Sequence, residues 1–435
     1  MKKHKNIMIQ GTGSSVGKTL IVAGLCRIFA QDGYRVSPFK SQNMALNSFV
    51  DIEGLELSRG TVIQAEAGYE IPRAFMNPIL LKPNSDNNSQ VIINGKVAYT
   101  ADAKNYFSHS KELKKIALET YKNNIENKFD IAVLEGGGSP AEINLREYDL
   151  VNMGMAELVN SPVILIGNID IGGVFAAIYG TVMLLDENDR KRIKGYIINK
   201  FRGDRDLLKP AIEILDKKFK DEGLDIRFLG VLPYADLKIE EEDSLSDEDK
   251  RVYSNDKKYI NISVIKTKKM SNFTDFHAFK QYDDVRVKYI YDVKDLGDED
   301  IIIFPGSKNT ITDLEDLKKK GIFEKVKELK EKGKIIIGIC GGLQMLGKKI
   351  HDPKHLESNI LETEGFNFFD YETTFDEIKK TEQVIKKIDV TEGILKDFYD
   401  YEIKGYEIHQ GVTNILTPII CKDNVFATYI HGIFD

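Results

Sequence analysis

Short apolar runs alternate with amphipathic stretches along the first half of the chain. Residues 6–10 read as a buried strand, a glycine-rich turn follows, and apolar positions then recur at helical spacing over 17–31. Residues 35–39 read as a second strand, and 102–127 carry one long helical period. Further apolar runs fall at 130–134, 162–167, 195–199 and 227–231, with helical patterns between them. Continuous apolar strands alternating with helices predict a parallel, doubly wound sheet. The pattern breaks at 238–258, which is dense in charge and has no apolar period, so it reads as a solvated linker. A second α/β pattern then runs through 260–265, 287–291, 301–304, a charged helix near 321–332, and 334–339. Two α/β domains joined near residue 250 are expected.

Composition narrows what such a chain does. Its 435 residues suit two or three domains at about 150 residues each. With 61 basic against 68 acidic residues the net charge is −7, which argues against nucleic acid as the main partner. No apolar run approaches the ~20 residues that span a bilayer, so no membrane role is expected. The apolar part of MKKHKNIMIQ is too short for a signal peptide. Three cysteines, Cys26, Cys340 and Cys421, make no disulfide framework, and a cytoplasmic location is expected.

Gly11-Thr-Gly-Ser-Ser-Val-Gly-Lys-Thr19 lies between a strand and a helix, the setting of a P-loop. Backbone N–H groups of Gly13, Val16 and Gly17 are expected to cradle phosphate oxygens at the start of the helix. Lys18 then reaches the β- and γ-phosphates, and the Thr19 hydroxyl meets Mg²⁺. The usual G-x-x-x-x-G-K-[ST] pattern puts its first glycine where this chain has Thr12; glycines stand at 11 and 13 instead. The apolar run 130–134 ends in Glu135-Gly-Gly-Gly138, which places a second metal-contacting carboxylate at the C-terminal edge of the sheet. Lys40, with Asn43, is expected at the same edge, where its charge steadies a transferring phosphoryl group. ATP and Mg²⁺ are the expected cofactors.

A second chemistry appears at Lys334-Ile-Ile-Ile-Gly-Ile-Cys340-Gly-Gly-Leu. An apolar strand, a sharp glycine-flanked turn and a helix reproduce the nucleophile elbow, with cysteine in place of serine. The start of the helix favours the thiolate. His431 closes the apolar run 425–430 and is the expected base, with His409 as its rival. Gly306, in Pro305-Gly-Ser307, and Gly341 are the expected oxyanion and glutamine-binding positions. Cys26 and Cys421 read as structural. No Cys/His cluster has zinc spacing. Asp275-Phe-His277 resembles the start of a D-x-H-x-x-G cobalamin box, but Lys280 replaces the glycine, so it reads as coincidence. An ATP site and a cysteine site on one chain imply a glutamine-dependent amide-forming ligase. The P-loop would activate a carboxylate as an acyl phosphate, and ammonia released through a thioester would attack it.

Several further stretches carry a family likeness. Pro38-Phe-Lys-Ser-Gln-Asn-Met44, Met76-Asn-Pro-Ile-Leu-Leu-Lys-Pro83, Ser85-Asp-Asn-Asn-Ser-Gln90, Glu135–Leu145, Gly172-Gly-Val-Phe-Ala176, Asn199-Lys-Phe-Arg-Gly-Asp204 and Glu242-Asp243 stand in order through the first half. Pro305–Thr310, the cysteine elbow, Gly405-Tyr-Glu-Ile-His409 and His431-Gly-Ile-Phe-Asp435 follow in the second. Together they resemble the cobyric acid synthase family over essentially the whole chain. The resemblance implies a dethiobiotin-synthetase-like amidoligase over 1–245, a linker over 246–258 and a class I glutamine amidotransferase domain over 259–435. It implies amidation of four peripheral carboxylates of adenosylcobyrinic acid a,c-diamide with ATP and L-glutamine, in cobalamin biosynthesis. Carried over, Cys340 is the nucleophile, His431 its base, Lys18, Thr19 and Glu135 serve MgATP, and Asn199 contacts adenine. Three departures stand out. Asn168-Ile-Asp-Ile171 replaces the family's Asp-Ile-Asp-Arg, Ile433 stands where many class I enzymes orient the histidine with glutamate, and the chain ends soon after His431.

Overall fold

The computed structural model describes residues 4–84, 88–235 and 258–434. The linker reading therefore falls outside the described residues except for Lys258, as do residues 85–87, Glu242-Asp243 and Asp435. Two compact units emerge. One comprises Met1–Met44, Leu57–Leu81 and Gln90–Ile239; the other comprises Ala45–Glu56, Lys82–Ser89 and Glu240–Asp435.

The first unit is built on six strands: β1 (Lys5–Gly11), β2 (Val36–Phe39), β3 (Ile131–Glu135), β4 (Val163–Asn168), β5 (Ile193–Phe201) and β6 (Arg227–Pro233), in the order 6-5-4-1-3-2. All neighbours are parallel. Helices cover both faces, so central strands such as β4 are buried along their whole length, which is why they read as unbroken apolar runs. The order reverses beside β1, and the register pairs Ile9 of β1 with Glu135 of β3. That register sets the end of β3 beside the loop leading into α1 (Lys18–Gln31), the usual position of a ligand crevice.

The single long helix expected over 102–127 is instead divided into Ala103–Ser108, Ser110–Thr120 and a π-turn over Tyr121–Glu126. The break has a local cause. The His109 ring occupies the Asn105 carbonyl at 2.8 Å, the acceptor its own backbone N–H needs to continue the helix. That N–H turns to the Tyr106 carbonyl instead.

The second unit has its own six-stranded sheet, from β7 (Ile260–Ile265), β8 (Val285–Ile290), β9 (Ile301–Phe304), β10 (Ile335–Ile339), β11 (Ile419–Lys422) and β12 (Val425–Thr428), in the order 8-7-9-10-12-11. Only the β11–β12 pair is antiparallel. A second sheet carries a long hairpin of Glu372–Lys387 against Glu402–Thr413. The expected apolar strand does not run on to His431. It ends at Thr428, whose hydroxyl accepts the Ile430 N–H at 3.0 Å, and the chain crosses to the second sheet, where His431 pairs with Tyr406. His431 is thereby an edge-strand residue of the second sheet rather than the end of the first.

Residues 45–56 are tied into this unit by several bonds. Ser48 N donates to Asn272 Oδ1 (3.2 Å), Phe273 N to Asn47 Oδ1 (3.1 Å), and the Tyr406 hydroxyl to the Ser48 carbonyl (3.0 Å). Val50 packs against Tyr406 and Ile408.

Candidate active sites

The phosphate loop of the first unit is shaped by two close approaches. A Cβ on Gly11 would stand 2.5 Å from Val16, so the glycine at 11, rather than at the usual position 12, lets the loop fold back on itself. Gly17 has φ +98°, and a Cβ there would lie 2.2 Å from Asn199 Nδ2. That amide donates to the Val16 carbonyl at 2.8 Å and holds the loop from the end of β5. Gly13 has open space around it. Lys18 Nζ spans the loop, donating to the carbonyls of Gly13 (2.8 Å) and Gly138 (3.1 Å).

Glu135 gathers the remaining groups. Its Oε1 accepts from Thr19 Oγ1 at 3.0 Å and from Lys40 Nζ at 3.1 Å, and its Oε2 accepts from Gln64 Nε2. Lys40 and Glu135 are both buried, so each is the other's counter-charge in a setting where a lone charge is costly. Gln64 lies on the helix Arg59–Ala67 and was not singled out in sequence; nothing local marks it, since its partner is 71 residues away. Among the described residues its Oε1 is buried without a hydrogen-bond partner. A hydroxyl, a carboxylate and an orphaned amide oxygen form an all-oxygen donor set that fits Mg²⁺. Beyond β4, Asn168 Oδ1 accepts the Asp170 N–H at 2.9 Å, Arg202 Nε lies 3.3 Å from Asp170 Oδ1, and Ile171 is exposed.

In the second unit, Cys340 joins β10 to a short helix, α2 (Gly341–Leu346), with φ 53° and ψ −105°. A non-glycine residue at positive φ is strained, and such strain concentrates at functional turns. The turn is held by Cys340 N donating to Thr428 O (2.8 Å) and Gln344 N donating to Cys340 O (3.1 Å). Gly341 begins α2, so its N–H has no acceptor within the helix. It lies against Ser307, since a Cβ on it would stand 2.7 Å from Ser307 N. Gly306 packs beside His431, a Cβ there falling 3.3 Å from ring atom Cε1.

His431 is buried, and its Nδ1 lies 2.7 Å from Asp275 Oδ2; the other Asp275 oxygen accepts the Gly432 N–H at 3.0 Å. Burial pulls the imidazole pKa down, but the Asp275 charge and hydrogen bond, with a hydrogen bond from Cys340, raise it to about 10. With Nδ1 committed to Asp275, Nε2 is the nitrogen left for the thiol. Asp275, set aside in sequence as part of a coincidental likeness, is the group that orients the histidine. His409 is differently placed: Nδ1 meets the Gly411 carbonyl at 2.8 Å, Nε2 meets Glu407 at 3.2 Å, and the ring stacks on Tyr429. Both its nitrogens are engaged. Cys26 is buried in the first unit's core with its thiol pushed up to about 12 by burial, and Cys421 is half-buried at the edge of the second.

Cys340 and His431 line one cavity with Gln344, Lys82, Lys308, Glu357 and Lys379. Lys82 belongs to this unit although it precedes Ser89 in the chain.

Residues 7–245 match the CobQ/CobB/MinD/ParA nucleotide binding domain family, and 261–435 match the CobB/CobQ-like glutamine amidotransferase domain family. Among curated proteins, a cobyric acid synthase of Clostridium novyi (strain NT) is 49% identical over 100% of this chain and 87% of its own length. One from Clostridium botulinum (strain Kyoto / Type A2) is 48% identical over 99% of this chain and 88% of its own. One from Alkaliphilus metalliredigens (strain QYMF) is 48% identical over 98% and 88%. No helix among the described residues is long and apolar enough to cross a membrane.

Proposed function

The chain belongs to the cobyric acid synthase family, and from that premise we propose that it amidates four peripheral carboxylates of adenosylcobyrinic acid a,c-diamide with ATP and glutamine. In this reading residues 1–245, apart from 45–56 and 82–89 that fold with the second unit, form the amidoligase, 246–258 the connection, and 259–435 the amidotransferase. The observation that carries it is the strained elbow of Cys340 facing a histidine that Asp275 holds in one orientation.

Cys340 is the nucleophile on the γ-carboxamide of glutamine. The thiol proton rests on His431 Nε2, and the sulfur–carbon bond forms as the carbonyl becomes an oxyanion. The N–H groups around Gly306 and Gly341 receive that charge. His431 then gives its proton to the nitrogen, the carbon–nitrogen bond breaks, and ammonia leaves a thioester. Water, deprotonated by the now neutral imidazole, releases glutamate and restores the thiol. Asp275 keeps Nδ1 protonated throughout and stabilises the imidazolium.

In the amidoligase, the backbone of Gly13, Val16 and Gly17 and the Lys18 ammonium bind the ATP phosphates. Asn199 holds the loop and is the candidate adenine contact. Thr19 and Glu135 would hold Mg²⁺, which when bound neutralises phosphate charge. Lys40 places a cation where the phosphoryl group passes to the substrate carboxylate, giving an acyl phosphate that ammonia attacks.

Incubation with the a,c-diamide, MgATP and glutamine, followed by mass spectrometry, tests the reading. Each carboxylate-to-amide step lowers the mass by about 1 Da, and four steps are expected. An unchanged corrinoid would overturn it. With Cys340→Ala, glutamine is expected to support no amidation.

A further inference from the structure

The Cys340 cavity holds more charge than the Cys–His chemistry uses. Lys82 and Lys379 reach it together and share a single carboxylate, Glu56, while Lys308 and Glu357 line the same cavity. Glu56 is fully engaged: Oε1 accepts from Lys82 Nζ at 2.9 Å, and Oε2 accepts from Lys379. Lys82 Nζ also donates to Ser48 Oγ at 2.8 Å, which accounts for two of its three N–H bonds. Lys82 is 4% exposed and still lines the cavity beside Cys340.

A buried surplus of positive charge is unfavourable unless an anion joins it. Burial and the crowding of like charge show in the neighbours: Lys379 is held down to about 7, and Lys308 is also lowered, in part by Lys82. An arriving carboxylate relieves both effects. Resting on the glutaminase reading of this site, we infer that Lys82 binds the α-carboxylate of glutamine through its third N–H, with Glu56 and Lys379 fixing its position. The glutamine pocket is then completed by a residue far upstream of the cysteine and histidine that do the chemistry.

The test compares L-glutamine with 4-aminobutanamide, which keeps the γ-carboxamide and the amine and lacks only the α-carboxylate. Wild type is expected to prefer glutamine. Lys82→Met should lower kcat/KM for glutamine about 10–100-fold, mostly through KM, since that is the usual range for losing a hydrogen bond to a charged group. It should lose little on 4-aminobutanamide, so the preference collapses, and Lys82→Arg should restore much of it. If Lys82→Met loses the same factor on both amides, or keeps the preference, the assignment is overturned and the triad merely supports the fold. Glutamate release by wild type, abolished in Cys340→Ala, checks the underlying reading separately; its absence overturns that reading and this one together.

Discussion

Asp275 Oδ2 lies 2.7 Å from His431 Nδ1, across 156 residues of sequence, and its second oxygen binds the very next backbone N–H. The carboxylate therefore fixes both the ring and the chain that carries it. Removing its charge while keeping its shape separates the two effects. Asp275→Asn is expected to lower glutamine hydrolysis by about 10²–10⁴-fold, the range of a positioned general acid–base. Amidation driven by added ammonia should fall far less. Parallel glutaminase and ammonia-dependent assays check this, and equal losses in both would count against it.

The same pair makes a pH-dependent contribution to stability. His431 binds its proton more tightly when folded, with a pKa near 10 against an ordinary value of 6.5. The stabilisation is therefore complete below about 6.5 and lost as pH rises through about 10. Urea denaturation of wild type and Asp275→Asn between pH 6 and pH 10 should show the wild-type advantage shrinking steadily. A constant difference would contradict the assignment.

Gly17 should tolerate no side chain. Alanine there meets both a left-handed backbone, at about 1–2 kcal/mol, and the Asn199 amide, which it must displace from Val16. Gly17→Ala is expected to weaken ATP binding at least about tenfold. Titration with a fluorescent ATP analogue measures it.

Glu135 organises Thr19, Lys40 and Gln64 at once. Glu135→Gln keeps the shape and removes the charge that buried Lys40 meets at 3.1 Å. ATP-dependent amidation should fall by about 10²–10³-fold, the scale of losing one electrostatic contact to developing charge. Raising Mg²⁺ should recover little of it, as a magnesium titration of the variant will show.

The local motifs were legible because each is a short run whose chemistry and geometry coincide. The P-loop, the Glu135 strand end and the Cys340 elbow are all strand–turn junctions readable within about ten residues. Asp275 was not legible, because its role exists only once the short helical segment Phe273–Gln281 has been folded against the end of the chain. Its own neighbours pointed to a different and incomplete motif. Gln64, Lys82 and Lys379 were missed for the same reason: each meets its partner across tens to hundreds of residues. The long hairpin also escaped notice. Glu372–Lys387 is charged at most outward positions and buries few side chains, so its strand period is faint.

The membership of residues 45–56 and 82–89 in the second unit bears on how the chain matures. Glu56 is made 323 residues before Lys379, which at about 5–20 residues per second is a wait of about 16–65 s on the ribosome. Throughout that interval the first unit's strands can assemble, while two of its own excursions have no place to go. The order of synthesis thus leaves the carboxylate of Glu56 in water until Lys379 arrives to enclose it, and the pocket around Cys340 cannot close before the hairpin that carries Lys379 has been made.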